Sequence, residues 1–393
     1  IMILIINIFA ALATGGAVVA GQYIGRKDEK SACKAATQLV WFVSLSAVAI
    51  MIFVYFGKDI ILNQVFGHIT AEVKGHADIY LLIVTASIPF IALYNGGAAI
   101  FRAMGNSQVS MRVSLLMNAI NVTGNAILVF GLRIGTAGVA IPTLISRMVA
   151  AIVITVLLCN QTRILHIERT LKFRFDGRMI RKILAIGVPN GLENSMFQLG
   201  KILVLSLVST FGTYAIAANA VSNAIALFQI LPGMAISLAI TTVISQCVGA
   251  NDYEQVHYYL KKLLVIIYVA MAGTVALIFL ALPLILKAYN LSDQTAAAAT
   301  NIIHFHGISA MIIWPLSFAL PAAYRAAGDA KACMYTSIVS MWIFRIGFSY
   351  LVGKYMGLGV FGVWVAMVID WVVRAICFII RYFNGKWKHG AIV

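Results

Sequence analysis

Acidic side chains are scarce in this chain, with 13 Asp and Glu among 393 residues against 29 Lys and Arg. Charged residues of both signs make up only 11%, where a soluble domain carries about a quarter, so a water-facing globular surface is excluded. Cysteine is thin too, at 5 residues. None lies in a CxxC or metal-ligand spacing, which argues against a disulfide framework and a cysteine-built metal centre and leaves reduced thiols. HExxH, GxSxG, a P-loop and a GxGxxG on a strand–helix turn are all missing. An enzyme is therefore not expected, nor ATP as the energy source, and the sole cofactor expected is a coupling ion, Na+ or H+. The opening apolar run has no basic leader and continues into a full span, unlike a signal peptide.

What the chain has is apolar length: 62% of it is hydrophobic and the mean hydropathy is +0.94. Apolar stretches of about 20 residues recur from end to end. Spans are expected at about 1–24, 33–56, 77–101, 108–131, 137–158, 180–210, 216–248, 261–287, 298–324, 331–353 and 359–383, about eleven in all. The net charge of +16 is a topology signal, not a nucleic-acid footprint. Arg26, Lys27, Lys30 and Lys34 follow the first span; Arg163, Arg169, Lys172, Arg174, Arg178, Arg181 and Lys182 fill the longest loop. Lys261, Lys262, Arg325, Lys331, Arg381, Lys386 and Lys388 continue the alternation. Every second loop is basic, which places those loops in the cytoplasm and the chain in a lipid bilayer with an anionic inner leaflet.

A segment occurs twice. Tyr23-Ile24-Gly25-Arg26-Lys27-Asp28, Phe101-Arg102-Ala103-Met104-Gly105 and Gly138-Val139 are echoed by Cys247-Val248-Gly249-Ala250-Asn251-Asp252, Tyr324-Arg325-Ala326-Ala327-Gly328 and Gly362-Val363. The offset of roughly 224 residues marks two homologous membrane halves. Its phase leaves about 178–224 without a counterpart, and the first span runs from outside to inside, so a first helix and part of a second are expected upstream of this sequence. The expected architecture is an all-α polytopic membrane protein of two parallel six-helix bundles. It divides into an N-terminal bundle at 1–160, a basic cytoplasmic linker at 161–179 and a C-terminal bundle at 180–393, working as a monomer with its substrate site where the lobes meet.

Ionisable residues within spans are costly and point to function. Glu193, in Pro189-Asn190-Gly191-Leu192-Glu193-Asn194, is either a carboxylate that exchanges protons or holds a cation, or one satisfied by Lys201 or a neighbouring helix. Asn194 and Gln198 add polarity to the same helix. Asp370 and Arg374, four apart, are expected to form an ion pair on one helix face. Ser114, Asn118, Asn121 and Asn125 form one polar stripe, and Asn219 and Asn223 repeat it more briefly; such amides either glue helices or line a cavity. His304 and His306, at i and i+2, do not share a face, so no metal site is expected. The RAxG pairs, Arg102 to Gly105 and Arg325 to Gly328, read as helix exits with a glycine cap.

The duplicated plan, the Gly-Arg-Lys-Asp and Gly-Ala-Asn-Asp turns, the paired RAxG exits and the segments 11–17, 135–140 and 187–191 together resemble the bacterial multidrug and toxic compound extrusion (MATE) family, truncated at the N-terminus. The resemblance implies a multi-pass antiporter of the bacterial inner membrane. Such a protein exports cationic, amphipathic drugs or toxic metabolites in exchange for Na+ or H+ by alternating access. Family members with a functional glutamate in the seventh helix carry it about two turns beyond the helix proline, where this chain has Phe197; Glu193 is one turn earlier on nearly the same face. The tenth-helix aspartate of some members has no match within 298–324. Flipping of a lipid-linked oligosaccharide or cell-wall precursor is the alternative, for which Lys201, Arg147 and Arg345 are the available cations.

Overall fold

The computed structural model describes residues 2–60, 62, 70–167 and 174–392; Arg169 and Lys172 of the expected linker lie outside the described residues. Among these residues every regular element is helical. Among the described residues nine helices are long and apolar enough to cross a membrane, and ten spans result if one bent pair counts as a single span. That pair is α3 (Ala71–Ala86) and α4 (Ile88–Ala103), which meet at 41° across Ser87. Pro89, in the first turn of α4, supplies no backbone N–H to continue α3. The eleventh expected span is α7 (Gly177–Ser209), whose central Asn190, Glu193, Asn194 and Gln198 dilute its hydropathy.

The chain divides into two compact units, Ile1–Gly191 and Leu192–Val393. The first holds α1 (Met2–Gly25), α2 (Glu29–Ile60), α3, α4, α5 (Ser107–Asn125) and α6 (Thr136–Leu158). Small residues let these backbones approach, as expected where lipid removes the hydrophobic drive between helices. A Cβ on Gly16 would lie 2.4 Å from Leu39 of α2, and one on Gly97 would lie 2.8 Å from Ile154 of α6. The linker's end and the first turns of α7 also pack into this unit. Gln38 donates to the Arg174 carbonyl at 2.7 Å, and Lys34 pairs with Asp176 at 2.5 Å, holding that carboxyl below its ordinary range. A Cβ on Gly15 would sit 2.5 Å from the Ile183 carbonyl oxygen. The division between the two units therefore falls within α7, at Gly191.

The second unit holds the rest of α7 with α8 (Thr213–Gly249), α9 (Tyr253–Ala288), α10 (Asp293–Trp314), the short α11 (Leu320–Ala326), α12 (Ala330–Ser340) and α13 (Gly359–Phe383). Ala218, Val221 and Ile225 of α8 pack on Leu282 and Leu286 of α9 and on Ala299 and Ile303 of α10. Large apolar side chains such as Phe53, Phe130 and Leu280 point outward, which a lipid environment makes favourable. None of the five cysteines is in a disulfide.

The duplication reaches individual hydrogen bonds. Lys27 and Asn251 both adopt positive φ, 61° and 58°. In each turn the following aspartate N–H bonds a carbonyl five residues back at 3.0 Å, Asp28 to Tyr23 and Asp252 to Cys247. Each aspartate then caps the next helix, Asp28 accepting from Ser31 N and Asp252 from Gln255 N, both at 3.0 Å. The RAxG glycines sit at φ 78° and 94°, the left-handed stop that glycine accepts without penalty. In both halves a helix ends in a widened, π-helical turn, Ala126–Gly131 and Ser349–Tyr355. Gly138 and Gly362 then approach these ends closely: an added Cβ would meet the Leu128 carbonyl oxygen at 3.2 Å and the Val352 carbonyl oxygen at 2.8 Å.

Candidate functional site

Glu193 is satisfied by neighbouring helices and not by Lys201. Its two carboxylate oxygens each receive a guanidinium, Arg325 Nη1 on Oε2 and Arg374 Nη2 on Oε1, both at 3.3 Å. The three side chains are largely buried, with 11%, 17% and 2% exposed for Glu193, Arg325 and Arg374. Glu193 is at the middle of α7, yet Arg325 lies in the last turn of α11. At 33 residues, α7 is roughly 50 Å long and outreaches a hydrocarbon core of about 30 Å, so its centre sits level with another helix's end.

The expected Asp370–Arg374 pair is corrected by the structure. Arg374 is drawn to Glu193 and donates to Ser337 Oγ at 2.7 Å. Asp370, fully buried, accepts from Ser340 Oγ at 2.5 Å, and its second oxygen has no partner. An i, i+4 spacing makes a pair possible, but α7 and α12 bring better placed groups to each. Arg374 also stacks over Phe318 at 4.4 Å.

One long turn beyond Glu193, Phe197 carries two cations against its ring, Lys201 Nζ at 5.1 Å and the Arg345 guanidinium at 4.9 Å. Lys201 and Arg345 open onto a cavity of about 350 Å³ within the second unit, shared with Asn219, Asn223 and Trp364 and walled by Leu227, Val363 and Met367. Trp364 Nε1 donates to Asn219 at 3.0 Å. An indole N–H only donates, so the Asn219 atom it meets is the oxygen and the amide nitrogen remains as a donor. Asn223 donates to the Asn219 carbonyl at 2.8 Å.

The other polar candidates have settings of their own. Asn121 donates to Thr143 Oγ1 on α6 at 3.1 Å and accepts from Asn125 at 3.2 Å, so this pair ties α5 to α6. Asn118 is exposed; Asn194, Gln198 and Ser114 are half-buried. Arg147 donates to Ser87 Oγ at 2.8 Å, at the break between α3 and α4. His304 faces the Thr300 carbonyl, and buried His306 faces Gln229 Oε1. Sequence reasoning did not single out the Glu193–Arg325 contact, and it named Lys201 and Arg345 with Arg147 as available cations without placing the first two on one cavity. Lys201 and Arg345 were visible as isolated cations, and Arg325 as part of a helix exit.

A family model described as MatE matches residues 1–127 and 189–351, both halves of the repeat. The chain belongs to the MatE family. A MatE relative from Bacillus subtilis, the uncharacterized transporter YisQ, is 28% identical over 98% of this chain and 85% of its own length. A probable multidrug resistance protein NorM from Thermotoga maritima is 21% identical over 98% of this chain and 83% of its own length. The fold matches an outward-facing multidrug resistance MATE family transporter at TM-score 0.91 and 22% identity, over 98% of this chain and 85% of that one. It also matches a MOP superfamily transporter from Pyrococcus furiosus, described as having a binding pocket of reverse polarity, at TM-score 0.90 and 22% identity, over 98% and 85%.

Proposed function

We propose that this MatE protein is a secondary active transporter that exports amphipathic small molecules across a bacterial inner membrane, in exchange for Na+ or H+, by alternating access. The observation that carries the reading is the family match to both halves, which the repeated turns and close glycines extend to the backbone. Multidrug resistance in the names of relatives supports the substrate class. The mixture of amides, an indole and aliphatic walls around the second-unit cavity suits an amphipathic body. Cationic drugs or metabolites are what the resemblance adds.

Glu193 is the coupling residue in this reading. Its carboxylate fastens α7 to α11 and α13, so binding of a proton or Na+ there would loosen two interhelical contacts at once. Cells expressing the protein should accumulate less of a panel of amphipathic dyes, and a protonophore or sodium removal should abolish the difference. Unchanged accumulation across dyes of both charges would overturn the transport reading. Glu193→Gln should remove the ion dependence of efflux; full ion-driven export at normal expression would place coupling elsewhere.

A further inference from the structure

We propose that the second-unit cavity is a binding site for an organic anion: a carboxylate, sulfonate or phosphate head on an apolar body. Deepening the proposed export of amphipathic molecules, this assignment rests on that reading only for what becomes of the ligand after it binds.

The argument is one of unmatched charge. Lys201 and Arg345 face the same cavity and repel one another. Arg345 is nine-tenths buried, and its Nε has no hydrogen-bond partner among the described residues. Besides Lys201, Asp370 attracts it and Arg374 repels it. Among the described residues Arg325 and Arg374 share Glu193 and Arg381 takes Asp329, while Lys201 and Arg345 form no salt bridge and have only Asp370 as a nearby negative charge. Glu193 is already held by two guanidiniums, and Asp370, which accepts from Ser340 Oγ, supplies one negative charge against the cations that remain. Two positive charges are therefore left over in an apolar lobe, where an uncompensated charge costs several kcal/mol. An anion in the cavity removes that cost.

The hydrogen-bonding inventory agrees. Lys201 offers three donors, Arg345 its fork, and Asn219 the amide nitrogen that Trp364 leaves free. No carboxylate lines this cavity. Val363, Leu227 and Met367 wall the remainder, and about 350 Å³ accommodates a small fused-ring body at the lower end of the ligand-pocket range.

The test uses the full chain in phosphatidylcholine nanodiscs, without any ion gradient, titrated with naphthalenesulfonate and with trimethylnaphthylammonium, one ring system carrying opposite heads. The sulfonate should bind at least about tenfold more tightly. Lys201, on the cavity's exposed side, is the variant site least able to disturb folding. Lys201→Met should weaken sulfonate binding about tenfold, Lys201→Arg should restore it, and Lys201→Glu should shift preference toward the ammonium. Tighter binding of the ammonium, or sulfonate affinity indifferent to Lys201→Met and Lys201→Glu, would overturn the assignment. Adding phosphatidylglycerol to the nanodisc separates sources: displacement of the sulfonate assigns the head to a lipid, and its persistence assigns it to a soluble anion. Charge-dependent sulfonate binding without dye efflux from cells would sink the transport reading alone; dye efflux without sulfonate binding would sink only the anion site.

Discussion

Glu193 shows how far a single residue can be read from sequence. Its presence in a span marked it as consequential, and the structure agrees that it needs partners. Those partners lie 132 and 181 positions away, beyond any helical spacing rule, whereas Asp370 and Arg374 satisfied such a rule and do not pair. Spacing along one helix lists opportunities; neighbouring helices decide which is taken. Glu193→Gln leaves two guanidiniums without their carboxylate, so it should lower unfolding free energy by about 3 kcal/mol, the scale for breaking a buried pair. Asp370→Asn keeps an acceptor for Ser340 and should cost less than half of that. Chemical or thermal unfolding in detergent checks the order. Glu193→Gln combined with Arg374→Met removes the more buried stranded charge and should recover much of the stability, as apolar replacement of buried pairs does, without recovering ion-dependent efflux. Recovery of both would make Glu193 a structural residue.

At the scale of elements, the sequence showed which segments are helices and which glycines recur, but not why they recur. Gly138 and Gly362 were visible as matching positions of the repeat. Each faces the widened end of the preceding helix, and that backbone geometry leaves no mark in composition. The contacts rank the two sites. A Cβ at Gly362 would meet the Gly353 N and Cα and the Val352 oxygen at 2.8 Å, all backbone atoms, whereas at Gly138 the nearest atom is 3.2 Å away. Gly362→Ala should therefore destabilise by about 1–3 kcal/mol, as overpacking does, and Gly138→Ala by less. Gly15→Ala is expected to resemble Gly362→Ala, because the Ile183 carbonyl oxygen would be 2.5 Å away. Melting midpoints of the three variants test the ranking. The 77–101 span was legible as one apolar run with Pro89 as a place where it would kink, and the break falls at Ser87, two residues before that proline.

For the whole molecule, the basic loops and the repeat carried most of the information, because charge placement and periodicity are properties of the chain itself. The gathering of Lys201 with Arg345 was hidden, since it depends on how α7 packs beside the segment after α12. Loop charge makes a direct claim about sidedness. In a background lacking the native cysteines, Lys27→Cys and Asn251→Cys should both resist a membrane-impermeant maleimide in intact cells and react with it in inside-out vesicles; labelling from outside at either position would contradict the alternation of basic loops. The turns at these two positions share one backbone, with the same left-handed residue and the same capping aspartate, yet one contains Arg26 and Lys27 where the other contains Ala250 and Asn251. Geometry and charge are thus specified by different atoms of the same few residues. Membrane orientation can be set through exposed side chains at such a turn while the main-chain hydrogen bond and the aspartate cap that define it stay the same.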